Sequence, residues 1–293
     1  MIPDSKENGE KRDTLQYLFT EVGGLRVRYA DRGFGDSVVL LLHGFGGDLD
    51  NWMFNLDSLA EKHRLLALDL PGHGQSVKTN VDPSLSGMAT FVRKFLDVLS
   101  VSSVHVVGHS MGGAIAMQLA SDSPETVKSL GLICSAGLGP DINSDYLRGF
   151  VEAQSQQELK LVLEQLFADE SLVNLQLVNN LLNYKRMDGV EASLNALSET
   201  LISAGEQTFL TDNIVASGIP VLVIQLCYCY MALAVTWTIG CLILTLLRTN
   251  TGYWLWIFRD MENPEKLFRN LQFTDWQSLS ANFWRLSVCR RHI

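Results

Sequence analysis

Three short segments place reactive side chains beside glycines in patterns that suit attack on a carbonyl. Gly108-His109-Ser110-Met111-Gly112 has the form G-x-S-x-G, after the apolar run Val104–Val107 and before the small-residue run Met111–Ala120. A sharp strand-to-helix turn there would expose the serine oxygen, and Gly108 and Gly112 would let strand and helix approach closely. The first amides of the following helix have no partner inside it and point back at the turn. His43-Gly44-Phe45-Gly46-Gly47 follows a second apolar run, Ser37–Leu42. Backbone amides of such a turn can face a developing oxyanion; the expected donors are the N–H groups of Phe45 and Met111, each worth about 3 kcal/mol in the transition state. His43 is expected to stabilise its turn beside Gly44. His109 is expected to pack beside Ser110 rather than serve as its base, because a neighbour on a tight turn points away. The third segment is Asp69-Leu70-Pro71-Gly72-His73-Gly74-Gln75-Ser76, after the run Arg64–Asp69.

Elements must hold these segments together. Gln16–Val22 and Leu25–Asp31 read as a hairpin around Gly23-Gly24. Ser37–Leu42, Arg64–Asp69, Val104–Val107 and Ser129–Ser135 are continuous apolar runs, as expected of strands buried on both faces. Between them, Asp50–Lys62, Met88–Leu99 and Met111–Ala120 read as helices. The alternation predicts an α/β fold with a mostly parallel sheet and helices on both faces. From Ile142 to Gln207, Leu, Val and Phe recur at helical spacing among Glu, Gln and Lys, which predicts a helical cap inserted over 142–207. Ile219–Ile224 returns to a buried strand.

Three motifs in this order, each at the carboxyl end of an expected strand, resemble the α/β-hydrolase superfamily over residues 16 to about 224. A closer resemblance is to the hydrolase-like domain of the dihydrolipoamide acetyltransferase subunit of acetoin dehydrogenase systems. The segments His43–Trp52 and Ser135–Tyr146 carry it. The lipoyl domain of that group has no room in this sequence. Meta-cleavage-product C–C hydrolases and simple esterases are similar in the general motifs. The resemblance implies an α/β-hydrolase fold, a serine nucleophile at Ser110, no metal and no organic cofactor. It also implies a small acyl or ketone substrate attacked at an ester, a thioester or a C–C bond next to a carbonyl.

Composition narrows the function classes. The 293 residues suit one large domain with its insertion, and 47% hydrophobic content supplies a sizeable core. A net charge of −9 and a pI near 5.1 argue against nucleic-acid binding. Met1–Asp13 is polar and without an apolar stretch, so 1–15 is expected to be a disordered start with no secretory signal, and the parent domain to be cytoplasmic. Of the five cysteines only Cys134 precedes residue 220, and it is expected to be a small buried apolar side chain. Cys227 and Cys229 lack partners at zinc-ligand spacing, so no metal site is expected.

The pattern then stops. A Ser-His-carboxylate set needs an acid after the strand at 219–224 and a histidine further on. The acid's place is taken by Gln225-Leu226-Cys227-Tyr228-Cys229-Tyr230, and the only later histidine is His292. His292 and Asp141 are weak stand-ins for the base and the acid. Pro220–Leu247 is almost wholly apolar and uncharged, and read literally it is a transmembrane candidate.

A shifted reading frame accounts for this run. New codons can be formed from the third base of each tail codon and the first two of the next. Met231–Ala232, Trp237–Thr238, Trp256–Ile257, Met261–Glu262 and Trp276–Gln277 then specify Gly, Asp, Asp, Gly and Ala. At one constant offset these are Gly44, Asp50, Asp69, Gly74 and Ala89. Leu226–Arg248 can be read as Val38–Ala60 without a mismatch. Residues 225–293, with the overlap from Val221 where both readings fit, thus read as an out-of-frame copy of 33–105 of a second, similar domain. Three functional expectations follow: a serine hydrolase or acyltransferase-like enzyme; a catalytically dead chimera lacking the histidine and acid; or a hydrolase-like protein tethered to a membrane through 220–247.

Overall fold

A computed structural model describes residues 17–79, 81–138, 142–167, 169–203, 214 and 217–224. The chain opens with the hairpin β1 (Tyr17–Val22) and β2 (Leu25–Arg32), paired antiparallel with Val22 opposite Leu25. β3 (Val38–Leu42) follows, with all five side chains buried. The helix expected over 50–62 is split into a 3₁₀ turn, Leu49–Trp52, and α1 (Met53–Ala60). The cause is a reciprocal cap: the Asp48 carboxylate accepts from the Asp50 amide at 3.0 Å, and the Asn51 side chain accepts from the Asp48 amide at 3.1 Å.

β4 (Arg64–Leu68) is followed by α2 (Leu85–Val98), which starts three residues before the expected Met88. Ser84 is the reason, since its hydroxyl accepts from the Gly87 amide at 3.0 Å. β5 (Val104–His109) runs through the Ser110 turn into α3 (Met111–Asp122). β6 (Val127–Ile133) ends two residues before the expected Ser135, because Cys134 turns out of the strand at φ +44°. Cys134 is therefore half-buried at a left-handed turn, not a core side chain as the sequence suggested. The helices α4 (Ser144–Glu152), α5 (Gln156–Glu164), α6 (Leu175–Lys185) and α7 (Val190–Ser203) come next. β7 (Val221–Ile224) returns the chain to the sheet.

The seven strands lie in the order β1-β2-β4-β3-β5-β6-β7. β2 meets β4 antiparallel, and β3 to β7 form a parallel block. This is an α/β fold of the expected kind. α2 and α3 cover one face, where Phe91, Phe95 and Leu96 join Leu40, Leu42 and Val106 in the main core. α1 covers the other face, where Leu49, Trp52 and Leu56 meet Leu41, Leu65 and Val107. Each fully buried leucine of β3 contributes about 1.5–3 kcal/mol through removal from water, enough to fix strands whose carboxyl ends carry the three motifs. No described helix is long and apolar enough to cross a membrane. Residues 1–16, Asp141, 204–213 and 225–293 lie outside the described residues, and with them most of the apolar run, the frame-shifted tail and His292.

Candidate active site

Ser110 sits at the sharp corner between β5 and α3 with φ +53° and ψ −118°. Its backbone holds it there: the Ser110 amide donates to Ile133 at 3.0 Å, and its carbonyl accepts from Gly113, Ala114 and Ala136. A Cβ on Gly112 would overlap the carbonyl oxygens of Leu42 and His43, so only glycine lets α3 press this closely on the end of β3. A Cβ on Gly108 would likewise meet the Gly112 carbonyl across the corner.

The segment after β3 comes up against Ser110 from the other side. A Cβ built on Gly44 would lie 3.1 Å from the Ser110 Cβ and 3.0 Å from His109 Nδ1, which marks how near the two loops are. Gly44–Gly47 is a β-turn, closed by the Gly47 amide donating to the Gly44 carbonyl at 3.1 Å. Gly46, at its third position, has φ +72°, the signature of a type II turn. Among the described residues the Phe45 and Met111 amides make no hydrogen bond, whereas those of Gly46, Gly47 and Leu49 do.

Two of the three histidines nearby are committed elsewhere. His43 is buried, with Nδ1 at 2.8 Å from the Gly44 carbonyl and Nε2 accepting from the Leu70 amide at 2.9 Å. His73 is equally buried, with Nε2 accepting from the Gly46 amide at 3.1 Å and Nδ1 at 3.1 Å from the Pro71 carbonyl. Their rings meet edge-on at 4.9 Å. Burial holds both below the ordinary histidine range, most strongly for His73, where His43 adds to it. His109 is lowered to about 4, by burial and then by His43. The Ser110 hydroxyl makes no hydrogen bond to a histidine or a carboxylate among the described residues.

One functional group was not singled out from the sequence. Arg28, on β2, is buried and grips Asp69 with Nε to Oδ2 at 2.6 Å and Nη2 to Oδ1 at 3.1 Å. Asp69 also accepts from the Leu49 amide at 2.9 Å and the Gln75 amide at 2.6 Å, so one carboxylate ties both loops together. The Lys78 ammonium donates to the carbonyls of His73, Gly74 and Ser76, and burial lowers its pKa to about 8. The only sequence signal for this network was a charged residue at an inward position of a strand. The helices α4–α7 lie over these loops: Tyr184 donates to the Gly72 carbonyl, Ser193 to that of Lys78, and Phe150 meets Phe45 edge-on with centroids 5.8 Å apart. No cluster of side chains able to hold a metal ion occurs among the described residues.

A family model described as the alpha/beta hydrolase fold matches residues 37–217. The chain belongs to the α/β-hydrolase family. Among curated α/β-hydrolase relatives it is 52% identical over 200 residues to the dihydrolipoyllysine-residue acetyltransferase component of the acetoin cleaving system of Cupriavidus necator. That match covers 68% of this chain and 54% of the relative. The same component of Pseudomonas putida is 44% identical over 188 residues, covering 64% of this chain and 51% of the relative. The chain thus spans about half the length of the curated relatives it matches. Among solved structures, a meta-cleavage product hydrolase of Pseudomonas fluorescens IP01 matches with a TM-score of 0.63 at 22% identity, covering 71% of this chain and 78% of that one. The 2-hydroxy-6-oxo-6-phenylhexa-2,4-dienoate hydrolase of Rhodococcus sp. strain RHA1 gives 0.62 at 21% identity, covering 72% and 82%. At such identities these two show the shared α/β-hydrolase fold alone.

Proposed function

We propose that the domain is a serine hydrolase or acyltransferase-like enzyme that attacks the carbonyl of an ester, a thioester or a C–C-linked ketone with Ser110. One observation carries this reading: Ser110 stands on its φ +53° corner with the Gly44 turn close against it, and the Met111 and Phe45 amides make no hydrogen bond among the described residues. For an ester, the serine oxygen bonds to the carbonyl carbon and the two amides hold the resulting oxyanion. The C–O bond to the leaving alcohol then breaks, and the serine proton leaves with it. Water afterwards releases the acyl group from Ser110. The helices α4–α7 act as a cap that shapes a pocket for a small apolar acyl or ketone group. The acetyltransferase naming of the relatives favours acyl transfer, and no metal or organic cofactor is invoked. A cytoplasmic setting fits the same reading.

Among the described residues the Ser110 hydroxyl has no histidine or carboxylate partner, which supports a second reading, a catalytically dead chain. Without a base, a serine enzyme of this kind loses on the order of 10⁶ in turnover, keeping only its oxyanion and binding effects. A fluorophosphonate probe with mass-spectrometric mapping separates the two. A label on the Ser110 peptide that disappears in Ser110→Ala supports the enzyme; an unlabelled wild-type chain supports the dead domain.

A further inference from the structure

We propose that His73 is a positioning residue for the oxyanion turn: its Nε2 accepts from the Gly46 amide and anchors, one residue on, the turn that carries the Phe45 amide. The inference rests on the reading of Phe45 as an oxyanion donor and adds a residue that acts on it from beneath. A carbonyl can only accept, so the Pro71 contact requires the proton on Nδ1 of His73. The Nε2 lone pair is then left for the Gly46 amide, 3.1 Å away. Both ring nitrogens are engaged, and the ring is buried against His43 and Phe45, with centroid separations of 4.9 and 6.3 Å.

The consequence follows from turn geometry. Type I and type II turns differ by a flip of the central peptide, here Phe45–Gly46. In the observed type II form the Gly46 N–H points at the His73 lone pair. A flip would turn the Phe45 carbonyl towards that lone pair and strand a buried amide without an acceptor. The far side of the turn is closed as well, because a Cβ on Gly46 would run into the Phe150 ring of α4. Lys78 fixes the imidazole's own backbone by donating to the His73 carbonyl at 3.0 Å. An acceptor below and a ring above thus leave the turn one conformation.

The test compares wild type with H73L, which has no acceptor, and H73Q, which restores one. In isotope-labelled wild type, a scalar coupling between the Gly46 amide nitrogen and His73 Nε2 is expected; its absence overturns the proposal whatever the variants do. In H73L, exchange of the Gly46 amide should accelerate at least tenfold while sheet amides of Leu40 and Val106 keep their protection, and probe labelling of Ser110 should slow at least tenfold. H73Q should recover most of both. Unchanged Gly46 exchange, uniform acceleration across the sheet, or unchanged labelling in H73L would each overturn it. A wild-type chain that takes no label, together with selective Gly46 acceleration in H73L, would sink the hydrolase reading, and the positioning role with it, while leaving the hydrogen bond as a structural latch.

Discussion

On the Ser110 side of the site, β5 turns into α3 with no side-chain hydrogen bond to Ser110 among the described residues; backbone bonds and close glycine packing hold the corner. On the facing side, the turn around Phe45 is closed by one backbone bond and held in place by side chains: His73, His43, and Asp69 with its Arg28 partner. The first design depends on shape and tolerates no added atoms. The second depends on charge and hydrogen bonding, and should respond to pH and to the removal of single partners. Two halves of one site can therefore be broken by different substitutions.

The largest effect is expected at the corner. Gly112→Val drives a branched side chain into the backbone carbonyls of Leu42 and His43, which have no rotamer to give way. A loss of more than about 5 kcal/mol is expected, read as reduced soluble yield and an early denaturant midpoint. A near-normal midpoint would show that the corner is looser than described. Next comes the buried charge of the facing side. Arg28→Met strands the Asp69 carboxylate and should cost about 3–5 kcal/mol, with Asp69→Leu on top recovering much of it. A double-mutant cycle from urea unfolding reads the coupling; strict additivity would mean the pair does not act as a unit.

Gly46→Ala should cost about 1–3 kcal/mol, since alanine is strained at φ +72° and meets Phe150. Adding Phe150→Leu should return part of that loss, and an unchanged penalty would remove Phe150 from the account. The smallest effect is expected from Asp48→Asn. Burial, then Asp50 and Asp69, push the Asp48 carboxyl up from the ordinary carboxylate range to about 6. A raised acid favours the folded state below its unfolded pKa, and that advantage is lost as pH rises through 4 to 6. The variant should therefore melt slightly higher than wild type at pH 8 and at the same temperature below about pH 4. The opposite trend would mean that Arg28 dominates Asp48 instead.

The two halves also differed in how far the sequence revealed them. The corner was legible because its constraint is local: Gly108, Ser110 and Gly112 lie within five residues, after an apolar strand. The strands were legible because β3, β4 and β5 are buried on both faces and read as continuous apolar runs. The network opposite was not, because Arg28 and Asp69 are distant in the chain and meet only after β2 and β4 pair. Boundaries moved where a cap intervened, as Asp48 and Ser84 did, or where a left-handed residue ended a strand, as Cys134 did. His43 and His73 look alike in the sequence as histidines beside glycines. Their roles as acceptors for Leu70 and Gly46 emerge only from the packing of one loop on the other.

The central claim is that this corner serine is the reactive group of the domain. Fluorophosphonate labelling of the full chain, mapped by mass spectrometry at long exposure, tests it most directly. A single label on the peptide containing Ser110, absent from Ser110→Ala and slowed in H73L, is the predicted result. An unlabelled wild-type chain, or a label that persists in Ser110→Ala, would contradict it.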